Sequence, residues 1–183
     1  MAERKKILAI SGSTRQNSSN GNLLKAIAAL FEDSMEMNIF EGIAALPHFN
    51  PDETDKTIAE VMHFRQLISN ADGVIICTPE YAHGVPGSLK NAIDWTVSTN
   101  EFSHKPTALI TASTDGRAGH AALLETLKTI EAENVEHLQL LISFIRTKIN
   151  AANIITDEQT LLAIKTLIAD LLQTIEQMPL AEK

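Results

Sequence analysis

Residues 12–22 read Gly-Ser-Thr-Arg-Gln-Asn-Ser-Ser-Asn-Gly-Asn, a run of hydroxyl and amide side chains around one guanidinium, Arg15. It lies between an apolar stretch and an amphipathic one, where a phosphate would meet unpaired N–H groups and the positive end of a helix dipole. Each charge-assisted hydrogen bond contributes about 1.5–3 kcal/mol, so a few of them offset the desolvation of a phosphate monoester. Helix capping alone would account for the serines and asparagines. It would not account for a cation placed beside the positive end of a helix. Neither Gly-x-Gly-x-x-Gly nor Gly-x-x-x-x-Gly-Lys-Ser/Thr occurs in the run, so a dinucleotide fingerprint and a triphosphate loop are both absent.

A second run, residues 78–95, follows an apolar stretch and opens a helix. Pro79, Gly84, Pro86 and Gly87 impose an irregular backbone whose N–H and C=O groups cannot all pair internally. Such a loop can offer main-chain donors to the edge of a flat heterocycle, and Tyr81 adds an aromatic plane. Residues 113–119 form a third loop, in which Gly116 and Gly119 allow backbone to approach a ligand closely. Ligands of open parallel sheets sit outside the carboxyl ends of the strands where the winding reverses, so the three loops converge on one crevice suited to a mononucleotide.

Other chemistry finds less support. The six histidines stand singly, without Cys-x-x-Cys or His-x-x-x-His spacing, and no metal is expected. His83, His104 and His120 are the ones placed to border the crevice. No Gly-x-Ser-x-Gly elbow supports hydrolysis. Cys77, the single cysteine, sits in an apolar run and reads as a buried small hydrophobe. Asp94 and Trp95 lie two to three turns into a helix and read as packing or subunit-contact residues.

The elements that position these loops follow from periodicity. Strands are expected at residues 6–11, 35–40, 72–78, 107–112 and within 139–144. Helices are expected at 22–31, 57–69, from Pro86 as first helical residue through Val97, at 121–132, and at 156–177, the last with Thr156 as its cap. Residues 41–56 read as a long functional or mobile loop. The alternation is that of βαβ units, a single five-stranded α/β domain spanning residues 1–183. With 44% hydrophobic and 21% charged residues the 183-residue chain fits an ordinary globular class. Its net charge of −8 opposes nucleic acid as a partner. Residues 7–10 are too short an apolar run for a leader or a membrane span, so a cytoplasmic protein without membrane association is expected.

These motifs, Gly12-Ser13-x-Arg15-x-x-Ser18-x-Asn20, Pro79-Glu80-Tyr81 and Pro86-Gly87-x-Leu89-Lys90-Asn91-Ala92-Ile93-Asp94-Trp95, with a weaker Leu46-Pro47-x-Phe49-Asn50-Pro51, resemble those of the NADPH-dependent FMN reductases, which include azo, quinone and chromate reductases. The resemblance implies a flavodoxin-like sheet of order 2-1-3-4-5 with helices on both faces. It also implies bound FMN and NADPH or NADH as reductant. Ser13, Arg15, Ser18 and Asn20 would hold the FMN phosphate, and backbone at Pro79, Glu80, Tyr81 and Ala82 would meet the ring. Ser113 and Gly116 would flank the ring or ribityl chain. No catalytic side chain is implied, since the flavin carries the chemistry in a ping-pong cycle with a small acceptor: a quinone, azo compound, free flavin or metal oxyanion. A homodimer or homotetramer is implied, with the 86–95 helix near the subunit interface. The alternative is a flavodoxin-like electron carrier without its own nicotinamide site. Two departures stand out: Ala82 where asparagine often follows the Glu-Tyr pair, and His120 where a second glycine often follows Gly119. The first would remove a polar group beside the flavin, and the second would narrow the third loop.

Overall fold

Parallel strands are covered by helices on both faces, so their sequences are apolar throughout and do not alternate. The computed structural model, which describes residues 4–54 and 56–178, follows this rule in its central strands, while the edge strand at residues 35–40 alternates, with Glu36 and Asn38 exposed. The strands are β1 (Lys5–Ser11), β2 (Met35–Phe40), β3 (Gly73–Thr78), β4 (Thr107–Ser113) and β5 (Gln139–Ser143). They alternate with α1 (Ser19–Leu30), α2 (Ala59–Asn70), α3 (Gly87–Asp94), α4 (Arg117–Thr129) and α5 (Glu158–Gln177). All pairings are parallel and the order is β2-β1-β3-β4-β5, as the resemblance implies. β3, at the centre, is buried along its whole length.

Successive residues of each strand feed two cores. Ile7, Ile75 and Ile110 pack with Leu23 and Ile27 of α1 and Ile164, Ile168 and Leu171 of α5. Leu8, Val74, Ile76 and Leu109 pack with Phe64 and Ile68 of α2, Ile93 of α3 and Leu123 of α4. With the sheet wedged between these cores, the strand ends are fixed and the loops that leave them are the parts free to bind.

Several helix boundaries depart from expectation, among them α1, which begins at Ser19, three residues before Asn22, and α4, which ends at Thr129 instead of Ala132. The cap of α5 is Asp157, whose carboxylate accepts from the Thr160 N–H at 2.9 Å and from its hydroxyl at 2.6 Å, while Thr156 lies outside. Those two bonds hold the Asp157 carboxyl below its ordinary pKa. Pro86 is the cap of α3 instead of its first residue, and the helix ends at Asp94. α4 begins at Arg117, four residues before Ala121, for a reason that lies in the site.

The 41–56 loop is less free than its composition implies. It contains two short 3-10 turns, Gly42–Ala45 and Pro51–Glu53. The Asn91 amide and the Trp95 indole N–H both donate to the Pro47 carbonyl, at 2.9 and 2.8 Å, and Asn91 accepts the Phe49 N–H at 2.7 Å. Trp95 is buried, with Phe49 edge-on against it at 5.2 Å. Asp94 pairs with Lys90 on the surface. The Lys-Asn-Ala-Ile-Asp-Trp stretch therefore anchors this loop, which agrees with the packing role expected for Trp95.

Candidate functional site

A cavity of about 490 Å³ opens at the carboxyl ends of β1, β3, β4 and β5. Ser13, Arg15, Ser18 and Asn20 line it from the first loop, Pro79, Glu80 and Tyr81 from the second, and Ser113 with Thr114 from the third. Eight of the ten expected site residues thus share one space. The other two, Ala82 and Gly116, do not line it.

The first loop is built to leave donors free. Gly12 donates its N–H to the Cys77 carbonyl at 2.8 Å, and a Cβ there would lie 2.3 Å from the Thr78 hydroxyl, so only glycine lets the loop cross β3 this closely. The Ser13 hydroxyl accepts the Arg15 N–H at 3.4 Å. Ser18 caps α1 by accepting the Gly21 N–H at 2.9 Å, which leaves the N–H groups of the first turn beside it without intrahelical partners. The Arg15 guanidinium has no acceptor among the described residues and is exposed. This is the donor set a phosphate monoester requires: a free cation, a hydroxyl and open helix N–H groups.

Asn20 differs from the expected phosphate ligand. It is buried, its amide donates to the Ala112 carbonyl at 3.1 Å, and its Oδ1 accepts from the Cys77 thiol at 3.3 Å. The side chain ties the start of α1 to β3 and β4, so one amide hydrogen and the amide oxygen are already engaged in shaping the first loop where Asn20 lines the cavity. Burial pushes the Cys77 thiol up, which keeps it protonated, a donor and not a nucleophile. Asn20→Ala should lower stability by about 1 kcal/mol, the net worth of a neutral hydrogen bond, and urea unfolding would measure it. A midpoint equal to the parent's would show that the strut carries no load.

Glu80 joins the second and third loops. Its N–H donates to the Ser113 hydroxyl at 3.2 Å and its carboxylate accepts the Gly119 N–H at 2.6 Å. A carboxylate at the positive end of a helix dipole stabilises that end, so this contact nucleates α4 early. Gly116 turns the chain into α4 with φ 95°, and a Cβ there would lie 2.8 Å from Leu141. Its glycine serves the backbone turn, away from the cavity.

Ala82 and His83 both have positive φ, 50° and 57°, and Tyr81 and Gly84 exchange N–H···O=C bonds of 3.1 and 2.9 Å around them. This is a two-residue hairpin turn that asparagine tolerates better than alanine. The departure at Ala82 therefore bears on backbone conformation and removes no polar group from the cavity wall. His120 likewise does not narrow the cavity. Its ring lies within 2.8 Å of both the Thr111 hydroxyl and Gln139 Oε1, packing α4 on the sheet. His83 and His104 do not line the cavity either. Among the described residues, no group of three or more His, Cys, Asp or Glu is placed to hold a metal.

The structure adds a fourth wall that periodicity did not single out. Phe144, Ile145, Arg146 and Thr147, just past β5, line the cavity opposite the first loop. The available signal was an arginine three residues beyond a strand whose end adjoins that of β4.

The family model described as NADPH-dependent FMN reductase matches residues 5–144, the span that contains all four walls up to Phe144. The chain belongs to this family. Within the NADPH-dependent FMN reductases, an NADPH azoreductase of Bacillus sp. is 35% identical over 119 residues. That match covers 64% of this chain and 64% of the azoreductase. An NAD(P)H-dependent FMN reductase of Pseudomonas aeruginosa is 32% identical over 96% of both chains. Among solved structures, a flavoenzyme NAD(P)H:(acceptor) oxidoreductase of Paracoccus denitrificans superposes with a TM-score of 0.78 at 27% identity, covering 94% of this chain and 98% of that one.

Proposed function

We propose that this member of the family binds FMN in the four-walled cavity and passes electrons from NADPH or NADH to a small acceptor such as a quinone or azo compound. The observation that carries the reading is the convergence on one cavity of the Arg15 guanidinium, which has no acceptor among the described residues, the open end of α1 and the Glu80-braced loops. The redox chemistry is the flavin's: hydride acceptance from a nicotinamide and electron delivery to an acceptor. The chain's own task is to hold and orient. Arg15, the Ser13 hydroxyl and the α1 N-terminus receive the phosphate, and the backbone from Pro79 to Tyr81, held by Ser113, fixes the ring edge. No side chain of the cavity is required as base or nucleophile.

We further propose a homodimer or homotetramer in the cytoplasm. Among the described residues, no helix is long and apolar enough to cross a membrane. The deciding experiment is the visible spectrum after reconstitution with FMN, followed by anaerobic addition of NADPH and of NADH. Rapid bleaching is the expected result. A flavin-loaded protein that neither nucleotide reduces would instead be an electron carrier.

One cavity must serve reductant and acceptor in turn, so steady-state rates at varied concentrations of both should give parallel double-reciprocal lines. Intersecting lines would mean that the two occupy the site together.

A further inference from the structure

Of the five arginines in the chain, three are engaged by described residues. Arg4 donates to the Glu32 carbonyl, Arg65 to the Trp95 carbonyl, and Arg117 to both oxygens of Asp115 at 2.8 and 3.1 Å. Arg15 and Arg146 have no acceptor among the described residues, and both line the same cavity. They come from opposite sides of it. Arg15 follows β1 and Arg146 follows β5, with β3 and β4 between, a separation of about 14 Å between the strands at about 4.8 Å each.

The turn that carries Arg146 is held rigidly. The Phe144 N–H donates to the Thr114 carbonyl at 3.1 Å, the Ser143 hydroxyl to the Asp115 carbonyl at 2.8 Å, and the Thr147 N–H to the Phe144 carbonyl at 3.0 Å. Ile145 is buried beneath. Phe144 itself has φ 56° and is 64% exposed, an unfavourable backbone conformation for a bulky residue that leaves its ring at the cavity rim. The carboxylates nearby are already occupied. Asp115, whose carbonyl anchors the turn, has its carboxylate on Arg117, and Glu80, the one carboxylate lining the cavity, takes the Gly119 N–H. In a chain of net charge −8, an uncompensated guanidinium at a cavity mouth is a local attractor for an anion.

FMN brings one phosphate, and the first loop already provides for it. A nicotinamide nucleotide whose ring must reach the flavin brings further phosphates to the same opening, and a planar guanidinium fork matches them. We propose that Arg146 holds a phosphate of the nicotinamide nucleotide, which makes the turn after β5 the element that recognises the reductant. The inference rests on the FMN reading above.

The test compares wild-type protein with Arg146→Gln and Arg146→Lys, all reconstituted with FMN. FMN dissociation constants come from flavin fluorescence, NADP⁺ binding to the loaded protein from calorimetry, and half-saturation for NADPH and NADH from anaerobic bleaching. Arg146→Gln should weaken NADP⁺ binding and NADPH half-saturation roughly 10-fold, the low end for a charged hydrogen bond because the site is exposed, and FMN affinity far less than either. The difference should shrink with added salt, and lysine should recover part of it. Loss confined to NADPH and NADP⁺ places the 2′-phosphate on Arg146, and equal loss with NADH places the pyrophosphate there; either sustains the proposal. Weakened FMN binding with unchanged nucleotide binding would assign Arg146 to the FMN phosphate and overturn it, as would a variant that matches wild type in every measurement. Wild-type protein that takes up no FMN would remove the functional reading and this inference together. Wild-type protein that takes up FMN and bleaches, beside a variant that behaves identically, would remove this inference alone.

Discussion

Replacing Arg15 with alanine is expected to weaken FMN binding about 10- to 150-fold, which corresponds to about 1.5–3 kcal/mol. The guanidinium is exposed and unpaired among the described residues, so its loss should leave the fold intact and fall on the ligand. The measurement is an equilibrium titration with FMN and, in parallel, with riboflavin. Wild-type protein should prefer FMN, because the first loop contributes affinity only through the phosphate, and the preference should narrow in Arg15→Ala. A variant with the parent's FMN affinity, or a wild type that binds riboflavin equally well, would remove the first loop from the site.

Glu80→Ala should produce the largest loss of stability among single changes in the cavity wall, about 1.5–3 kcal/mol, since a nearly buried carboxylate then no longer receives the Gly119 N–H. For a chain of this size that is a fall in Tm of roughly 3–12 °C. The carboxylate is one of two Glu80 contacts that join the second and third loops, the other being its main-chain N–H on Ser113, so FMN affinity should fall with its loss. Glu80→Gln retains a neutral acceptor and should recover part of both losses. If thermal unfolding of Glu80→Ala matched that of the parent, the two loops would be held by something other than this contact.

Local signals were enough to place the sheet. β2 falls on the expected residues 35–40, and β3 and β4 within one residue of expectation, because buried parallel strands are short apolar runs between turn residues. What local signals could not carry was contact across the chain. α4 starts four residues early because a carboxylate 39 residues away accepts its Gly119 N–H. Asn20 reads from the sequence as a hydrogen-bond donor in a polar loop, and what the sequence does not reveal is that its amide also bonds Ala112 and Cys77, 92 and 57 residues distant. Thr156 lost the cap to Asp157, its neighbour, since both are good capping residues and the helix start decides between them. The wall after β5 was missed because its importance depends on sheet order, which sets the end of β5 beside that of β4.

The tip formed by Ala82 and His83 carries both of its side chains in a left-handed backbone region, at a cost of about 1–2 kcal/mol each for ordinary residues. Its ends are closed by the Tyr81 and Gly84 main chain, and neither tip side chain lines the cavity. The tip is therefore a segment of the rim whose sequence is constrained by its backbone and not by the cavity. Any residue that accepts the left-handed conformation preserves the turn, so a glycine or asparagine placed there should change the stability of the hairpin before it changes anything in the cavity.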